Sequence, residues 1–387
     1  MSGAGPHPVS RRTFLGQFAC CAAAACPAVR ALAAPAPSGG PARTALPQAA
    51  PVEAMFWDRT GAGQVRCTTC PNHCERGEGG VTACRTRVAK GGRLYTMTYG
   101  KPCLVCSDPL TKNPLYHVDP GAAAIGAATA GCNLTCKYCQ NFDISQNGPE
   151  RTKNMDLPPE QLVAKVSERK LKWLTFSYTE PTAYLEYAVA AARVARKNGM
   201  RVAMATAGYI SEPALDELIK CTDAFSLTLK GYDAAFYRDV CGASLDTVWK
   251  SIDRIVASRT WMEVVTLIVP GMNDDLARLK EQARELARRG RDIPLHYLRF
   301  APAYKLRALE PTPIATLEKA RLGAMEAGLR FVYLDVSGHE GANTYCPNCR
   351  RKLIERAGFA VLENRLKGAR CPACSATVPG LFAKAAT

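Results

Sequence analysis

The chain has 387 residues, 47% of them hydrophobic and 22% charged, which is the balance of a soluble globular protein and excludes a disordered chain. It is long enough for one large domain or two to three smaller ones. The formal charge of +16 falls only to +13 without residues 1–33, which hold Arg11, Arg12 and Arg30 and no acid, so the chain offers acidic or phosphate-rich partners a basic surface or simply carries a solvated one.

At the N-terminus, twin arginines at 11 and 12 precede an apolar, alanine-rich stretch and a small-residue "ALA" at 31–33. This is the pattern of a twin-arginine export signal, which carries folded proteins, and it predicts a periplasmic protein, or a cytoplasmic one if the signal is not used. The stretch is too short for a permanent anchor, and no transmembrane span is expected after signal removal. Residues 34–51 are rich in Pro, Ala and Gly and read as a flexible linker.

Residues 52–119 read as a small Cys-rich β subdomain. Its "CTTCPNHCERGEGGVTAC" supplies Cys67, Cys70, Cys74 and Cys84, four thiols in a compact region that suit a closed metal site, with zinc, iron–sulfur or buried free thiols as the options. Cys103 and Cys106 fall on an expected strand, pointing to opposite faces, and are read as structural.

From 120 to 340, short β-rich runs alternate with helical stretches: "AAIGAAT", "WLTFSYT", "RVAMAT", "AFSLTLK", "EVVTLIV", "PLHYLRF" and "RFVYLDV" against segments such as "YLEYAVAAARVARKNG". Pro213 and Pro313 mark helix starts. Alternation of this kind predicts an α/β fold with a parallel sheet, and six to seven units predict a partial, open TIM-type βα barrel. Charged residues are expected at its C-terminal strand ends: Glu180, Lys230, Glu263, His296 and Arg299. Beyond 341, "CPNC" and "CPAC" place Cys346, Cys349, Cys371 and Cys374 in two knuckles about twenty residues apart, a zinc-ribbon signal that also admits a rubredoxin-type iron site or two disulfides.

Eighteen cysteines in such clusters indicate a metalloprotein rather than a disulfide scaffold. The segment "GCNLTCKYCQN" (131–141) is the most informative. Cys132, Cys136 and Cys139 form a C-x3-C-x2-C array directly after the first expected barrel strand. Three thiolates suit a [4Fe–4S] cluster with one iron left open, in contrast to ferredoxin runs in which every iron has a thiolate.

This array, with Tyr138 before its last cysteine, resembles the radical S-adenosylmethionine (SAM) superfamily. Together with "DPLTKNPLYHVDPG", "YTEPT", "LKGYDAAFYRDVCGA", "EVVTLIVPGMND", "RFAPAYKL" and "NTYCPNCRRKLIERAGF", the chain from about 65 to 385 resembles the AmmeMemoRadiSam-system radical SAM enzymes, relatives of the pyruvate formate-lyase activating enzymes. The resemblance implies that Cys132, Cys136 and Cys139 ligate the cluster. The open iron then chelates SAM, and one electron cleaves it to a 5′-deoxyadenosyl radical that abstracts hydrogen from substrate. It further implies that Tyr138 packs near the adenine, that Thr179 and Glu180 meet the cofactor, with Glu180 on its ammonium, that Lys230 meets a carboxylate, and that His296 meets the ribose or substrate. A flavodoxin- or ferredoxin-like electron donor is implied as partner, with a protein, peptide or small anionic substrate. Two departures stand out: Ala207 where relatives carry Asn, and Thr228 where they carry Asp. The competing functions are an iron–sulfur electron carrier and a basic zinc-ribbon module binding nucleic acid. The three-cysteine loop counts against both.

Overall fold

The structure is a computed structural model that describes residues 51–61 and 63–382. The expected signal segment, and all of the expected linker but its last residue, lie outside the described residues. Strands β1 (Trp57–Gly61), β2 (Gln64–Cys67) and β3 (Glu75–Arg76) form a small antiparallel sheet, and β4 (Arg87–Lys90) and β5 (Arg93–Thr96) form a hairpin. Strand β6 (Leu104–Pro109) then runs antiparallel to β7 (Ala123–Ala128) and caps one edge of the main sheet.

From β7 onward every neighbour in that sheet is parallel. Strands β8 (Trp173–Phe176), β9 (Arg201–Thr206), β10 (Ala224–Thr228), β11 (Trp261–Ile268), β12 (Leu295–Arg299) and β13 (Val332–Leu334) follow one another in sequence order. Seven parallel strands match the expected six to seven units. Within this sheet β13 has β12 as its only neighbour and β6 stands at the opposite edge, so the barrel is open. The strands are almost wholly apolar and buried, as a sheet covered on both faces requires.

The helices are α1 (Phe142–Ser145), α2 (Pro159–Glu168), α3 (Leu185–Lys197), α4 (Glu212–Ile219), α5 (Ala234–Phe236), α6 (Leu245–Ser258), α7 (Leu276–Arg289) and α8 (Ile314–Glu326). Helix α7 shows why they pack as they do: Leu279, Gln282, Ala283 and Leu286 repeat at helical spacing and are its buried side chains. Helix α5 runs on into a π-helical turn, Tyr237–Cys241. No helix among the described residues is long and apolar enough to cross a membrane.

The C-terminal region forms a three-stranded antiparallel sheet, β14 (Thr344–Tyr345), β15 (Lys352–Ala357) and β16 (Ala360–Asn364). Its four cysteines, 346, 349, 371 and 374, gather as they would in a ribbon. Buried Arg356 ties this sheet to the barrel: it donates to the carbonyl of Tyr116 at 2.8 Å and lies 4.2 Å from the Tyr116 ring centroid.

Two residues expected at C-terminal strand ends lie elsewhere. Glu263 is only the third residue of β11 and His296 the second of β12, because both strands continue to Ile268 and Arg299. The carboxylate of Glu263 meets His296 Nε2 at 2.8 Å and accepts the backbone N–H groups of Tyr116 and His117 at 2.9 and 2.8 Å. Both side chains are fully buried in a polar and aromatic floor with Tyr116, His117 and Tyr333. His296 therefore stands in the barrel floor and not at its mouth.

Candidate functional site

The three-cysteine loop leaves the C-terminal end of β7. Gly131 makes the exit possible. Its φ is +87°, and a Cβ there would stand 2.3 Å from the Cys84 carbonyl oxygen and from Thr86 Cγ2. The loop is then clamped by the π-helical turn. Thr135 N–H donates to the Cys241 carbonyl at 2.9 Å, and Lys137 N–H to that of Val240 at 3.0 Å. Gly242, at φ +68°, ends the turn, and a Cβ there would meet Thr135 Oγ1 at 2.3 Å. Inserted π turns of this kind often occur at functional sites.

All three thiols, Tyr138, Thr179, Glu180 and Lys230 line one cavity of about 300 Å³ at the C-terminal end of the parallel strands. Each wall has a local reason. Cys132 Sγ accepts Leu134 N–H at 3.4 Å, and Cys139 Sγ lies 3.2 Å from Ser145 Oγ on α1. The Tyr138 ring stacks on Phe236, its hydroxyl is 3.5 Å from Cys241 Sγ, and Lys230 Nζ is 5.9 Å from its centroid. Thr179 donates its hydroxyl to the Thr129 carbonyl at 2.8 Å, which fixes the turn after β8. Glu180 is buried. It accepts from Thr206 and Thr182 hydroxyls at 2.5 and 3.0 Å and from Ala207 N–H at 2.8 Å.

Burial and neighbouring charges pull the groups of the site in different directions. Burial pushes the Cys132 thiol well up, with the Glu180 charge adding to it, and burial also raises Cys139. Cys136 goes the other way, to about 6, chiefly through its hydrogen bond with Cys241 and further through the Lys230 charge, against the cost of burial. Burial raises Glu180 despite its three donors. Ionising several buried thiols and a carboxylate together is costly unless positive charge is supplied. A metal group supplies it.

Sulfur spacing separates the kinds of metal group. A tetrahedral ion with Zn–S bonds near 2.3 Å needs sulfurs about 3.8 Å apart. Among the described residues, Cys346, Cys349, Cys371 and Cys374 are the group whose ligand atoms lie within 4.8 Å of one another, with 3.6 and 3.7 Å for two of the pairs. Cys132, Cys136 and Cys139 share a cavity yet are not gathered this tightly. A cubane puts each thiolate on a different iron and spreads them. The triad fits a cluster in its donor set. Cys67, Cys70, Cys74 and Cys84 also lack single-ion spacing. Cys103 stands just before β6, and Cys106 within β6 meets Asp108 and the Tyr178 hydroxyl at 3.0 and 3.4 Å.

Sequence reasoning brought together the triad, Tyr138, Thr179, Glu180 and Lys230, but misplaced His296. It also missed the holders. Cys241 braces the triad, and Thr206 and Ala207 hold Glu180. Cys241 sits in the quoted "FYRDVCGA", but nothing in its spacing marks it as lying against a loop a hundred residues earlier.

The open parallel barrel thus brings three thiols, a buried carboxylate and a lysine together at its C-terminal mouth. The model for the radical SAM superfamily matches residues 128–290. The chain is 40% identical over 328 residues to an uncharacterised protein of Methanocaldococcus jannaschii, spanning 83% of this chain and 97% of that one. It is 23% identical over 206 residues to the pyruvate formate-lyase 1-activating enzyme of Escherichia coli, 49% of this chain and 84% of that one. A crystal structure of a domain of the pyruvate formate-lyase-activating enzyme of Bacteroides vulgatus superposes with a TM-score of 0.36 at 16% identity, over 41% of this chain and 96% of that one. Residues 128–290 are a radical SAM domain, and the chain is similar in sequence to activating enzymes.

Proposed function

We propose that this chain is a radical SAM enzyme of the AmmeMemoRadiSam type, in which Cys132, Cys136 and Cys139 hold a [4Fe–4S] cluster. The bound cluster supplies the electron that cleaves SAM reductively, releasing a 5′-deoxyadenosyl radical that takes a hydrogen from substrate. The observation that carries this reading is that three thiols share one cavity with Glu180 and Lys230.

The chain's own residues do the rest. Glu180, its carboxyl held by donors from Thr206, Thr182 and Ala207, receives the cofactor's ammonium. Lys230 takes its carboxylate. Tyr138, stacked and buried, offers its edge to the adenine. The buried walls keep water from a reactive intermediate. Thr179 fixes the turn that aims Glu180. The C-terminal knuckles hold zinc, and the substrate is a protein, a peptide or a small anion, with a low-potential flavodoxin- or ferredoxin-like donor as partner. The twin arginines support export of the folded, loaded chain.

The test is anaerobic. The full chain is reconstituted with iron and sulfide, reduced, given SAM, and assayed for 5′-deoxyadenosine by chromatography beside a Cys139→Ala control. Product above the control supports the reading. Bound iron without product, and a spin-resonance spectrum unmoved by SAM, turns it toward electron transfer. No iron at all turns it toward a zinc-binding module.

A further inference from the structure

Four cysteines play no part in the site just described. Cys67 ends β2, Cys70 and Cys74 lie in the turn before β3, and Cys84 precedes β4. All four are free thiols; Cys67, Cys70 and Cys84 are buried and Cys74 is half-buried. The local fold brings them together: Cys67 N–H donates to the Cys74 carbonyl at 3.0 Å, and Ala83 N–H donates to Cys74 Sγ at 3.4 Å.

Their sulfurs are furnished with donors. Cys84 Sγ stands 3.1 Å from Thr82 Oγ1, 3.0 Å from Thr86 Oγ1 and 3.8 Å from Arg87 Nη1. Cys67 Sγ stands 3.4 Å from Thr69 Oγ1. Hydrogen bonds to sulfur are a means by which proteins set the potential of iron–sulfur groups. The spacing argues in the same direction. No three of these sulfurs lie within the 4.8 Å of one another that the ribbon cysteines achieve. That is more open than the spacing a single tetrahedral ion requires.

Their position is the third observation. Cys74 and Cys132 line the same cavity, of about 530 Å³. Asn72 Nδ2 donates to the carbonyl of Asn133, inside the three-cysteine loop, at 3.0 Å. The carbonyl of Cys84 is the atom that a side chain at position 131 would strike. The two cysteine sets are packed back to back through Gly131 and Asn133.

We propose that Cys67, Cys70, Cys74 and Cys84 hold a second cubane iron–sulfur cluster, fully ligated by protein, beside the three-cysteine loop. Four thiolates close every iron, so the group handles electrons and binds no substrate. It accepts one electron from a low-potential external donor; the donor is oxidised by one electron and the cluster reduced by one. The assignment stands on these four residues and is independent of whether SAM is cleaved.

The experiment uses the full chain, reconstituted anaerobically with iron and sulfide. Iron, acid-labile sulfide and zinc are counted per chain, and the reduced protein is examined by spin resonance. Wild type should hold about eight irons and about one zinc. The Cys132→Ala/Cys136→Ala/Cys139→Ala variant should keep about four irons and an iron–sulfur spectrum. If that variant holds no iron, the proposal is overturned. It is equally overturned if wild type holds about four irons and about two zincs. That wild-type count needs no variant to fold. A wild type with about four irons, all of them kept by the triple variant, would instead strike the proposed activity and leave this site standing.

Discussion

Glu180 accepts the backbone N–H of Ala207 at 2.8 Å, across the ends of β8 and β9. The contact explains how position 207 dispenses with a polar side chain: the bond comes from the main chain, which any residue but proline provides. Thr206 adds its hydroxyl to the same carboxylate. The carboxylate is therefore aimed by backbone and by a buried threonine, with little freedom to turn away.

Glu180→Gln keeps the shape and removes the charge. Hydrogen bonds to charged groups are worth about 1.5–3 kcal/mol, so SAM affinity should fall by about ten- to a hundredfold. Iron content should stay at the wild-type value. Equilibrium dialysis with labelled SAM, beside iron analysis, measures both; unchanged affinity would remove Glu180 from the cofactor site.

Gly131→Ala tests the junction between the two cysteine sets. The new methyl would stand 2.3 Å from backbone oxygen at Cys84, on a residue at φ +87°. Neither strain can be relieved by a flexible side chain. A loss of at least about 2 kcal/mol is expected, with lower iron retention on reconstitution. Thermal unfolding reads the first effect and metal analysis the second. A variant as stable as wild type would mean the loop can move away from Cys84.

The barrel floor predicts a pH dependence. His117 is fully buried, and its Nδ1 and Nε2 lie 2.6 Å from the Pro379 carbonyl and the Tyr333 hydroxyl. A carbonyl only accepts, so Nδ1 donates and the hydroxyl donates to Nε2. Burial lowers its pKa to about 4; the Glu263 charge opposes this, while Arg356 and His296 assist. The unfolded chain takes up this proton near pH 6.5 and the folded one does not until about 4. Stability from this group is therefore complete above 6.5 and lost as pH falls toward 4, by about 3 kcal/mol. His117→Gln should be less stable at pH 7 and should show a shallower decline in urea midpoint between pH 7 and 4.5. Parallel declines in both proteins would refute the assignment.

Much of this was legible from residues alone, and for identifiable reasons. The apolar runs of β7 to β13 are continuous because both faces of the sheet are covered, so each strand announces itself. The cysteine arrays and "YTEP" are local, and each lies on a single loop. What was not legible depends on where a strand stops. His296 is expected at the mouth as a charged residue ending its strand, but β12 runs three residues further, to Arg299. That extension lowers His296 into the floor, where Glu263 receives it. Cys241 escaped notice because its partner, Cys136, is 105 residues away in the chain.

Lys230 offers the last test. Its N–H donates to the Tyr237 hydroxyl at 2.8 Å, and its carbonyl accepts from Asn273 at 2.7 Å, so the backbone at the end of β10 is fixed without help from the side chain. The side chain lines the cavity with the three thiols and Glu180. Burial would lower its pKa, but the charges of Cys136, Cys241, Cys132 and Glu180 outweigh that and raise it. A lysine whose pKa is raised, lining a cavity with three thiols and Glu180, is suited to an anion. Lys230→Met retains most of the volume and removes the charge. SAM affinity should fall by about tenfold or more, with the unfolding temperature little changed. Lys230→Arg should restore part of the affinity, since it restores the charge in a different shape. If methionine binds SAM as well as lysine does, the carboxylate is held elsewhere, and Lys230 serves only to offset the thiolates.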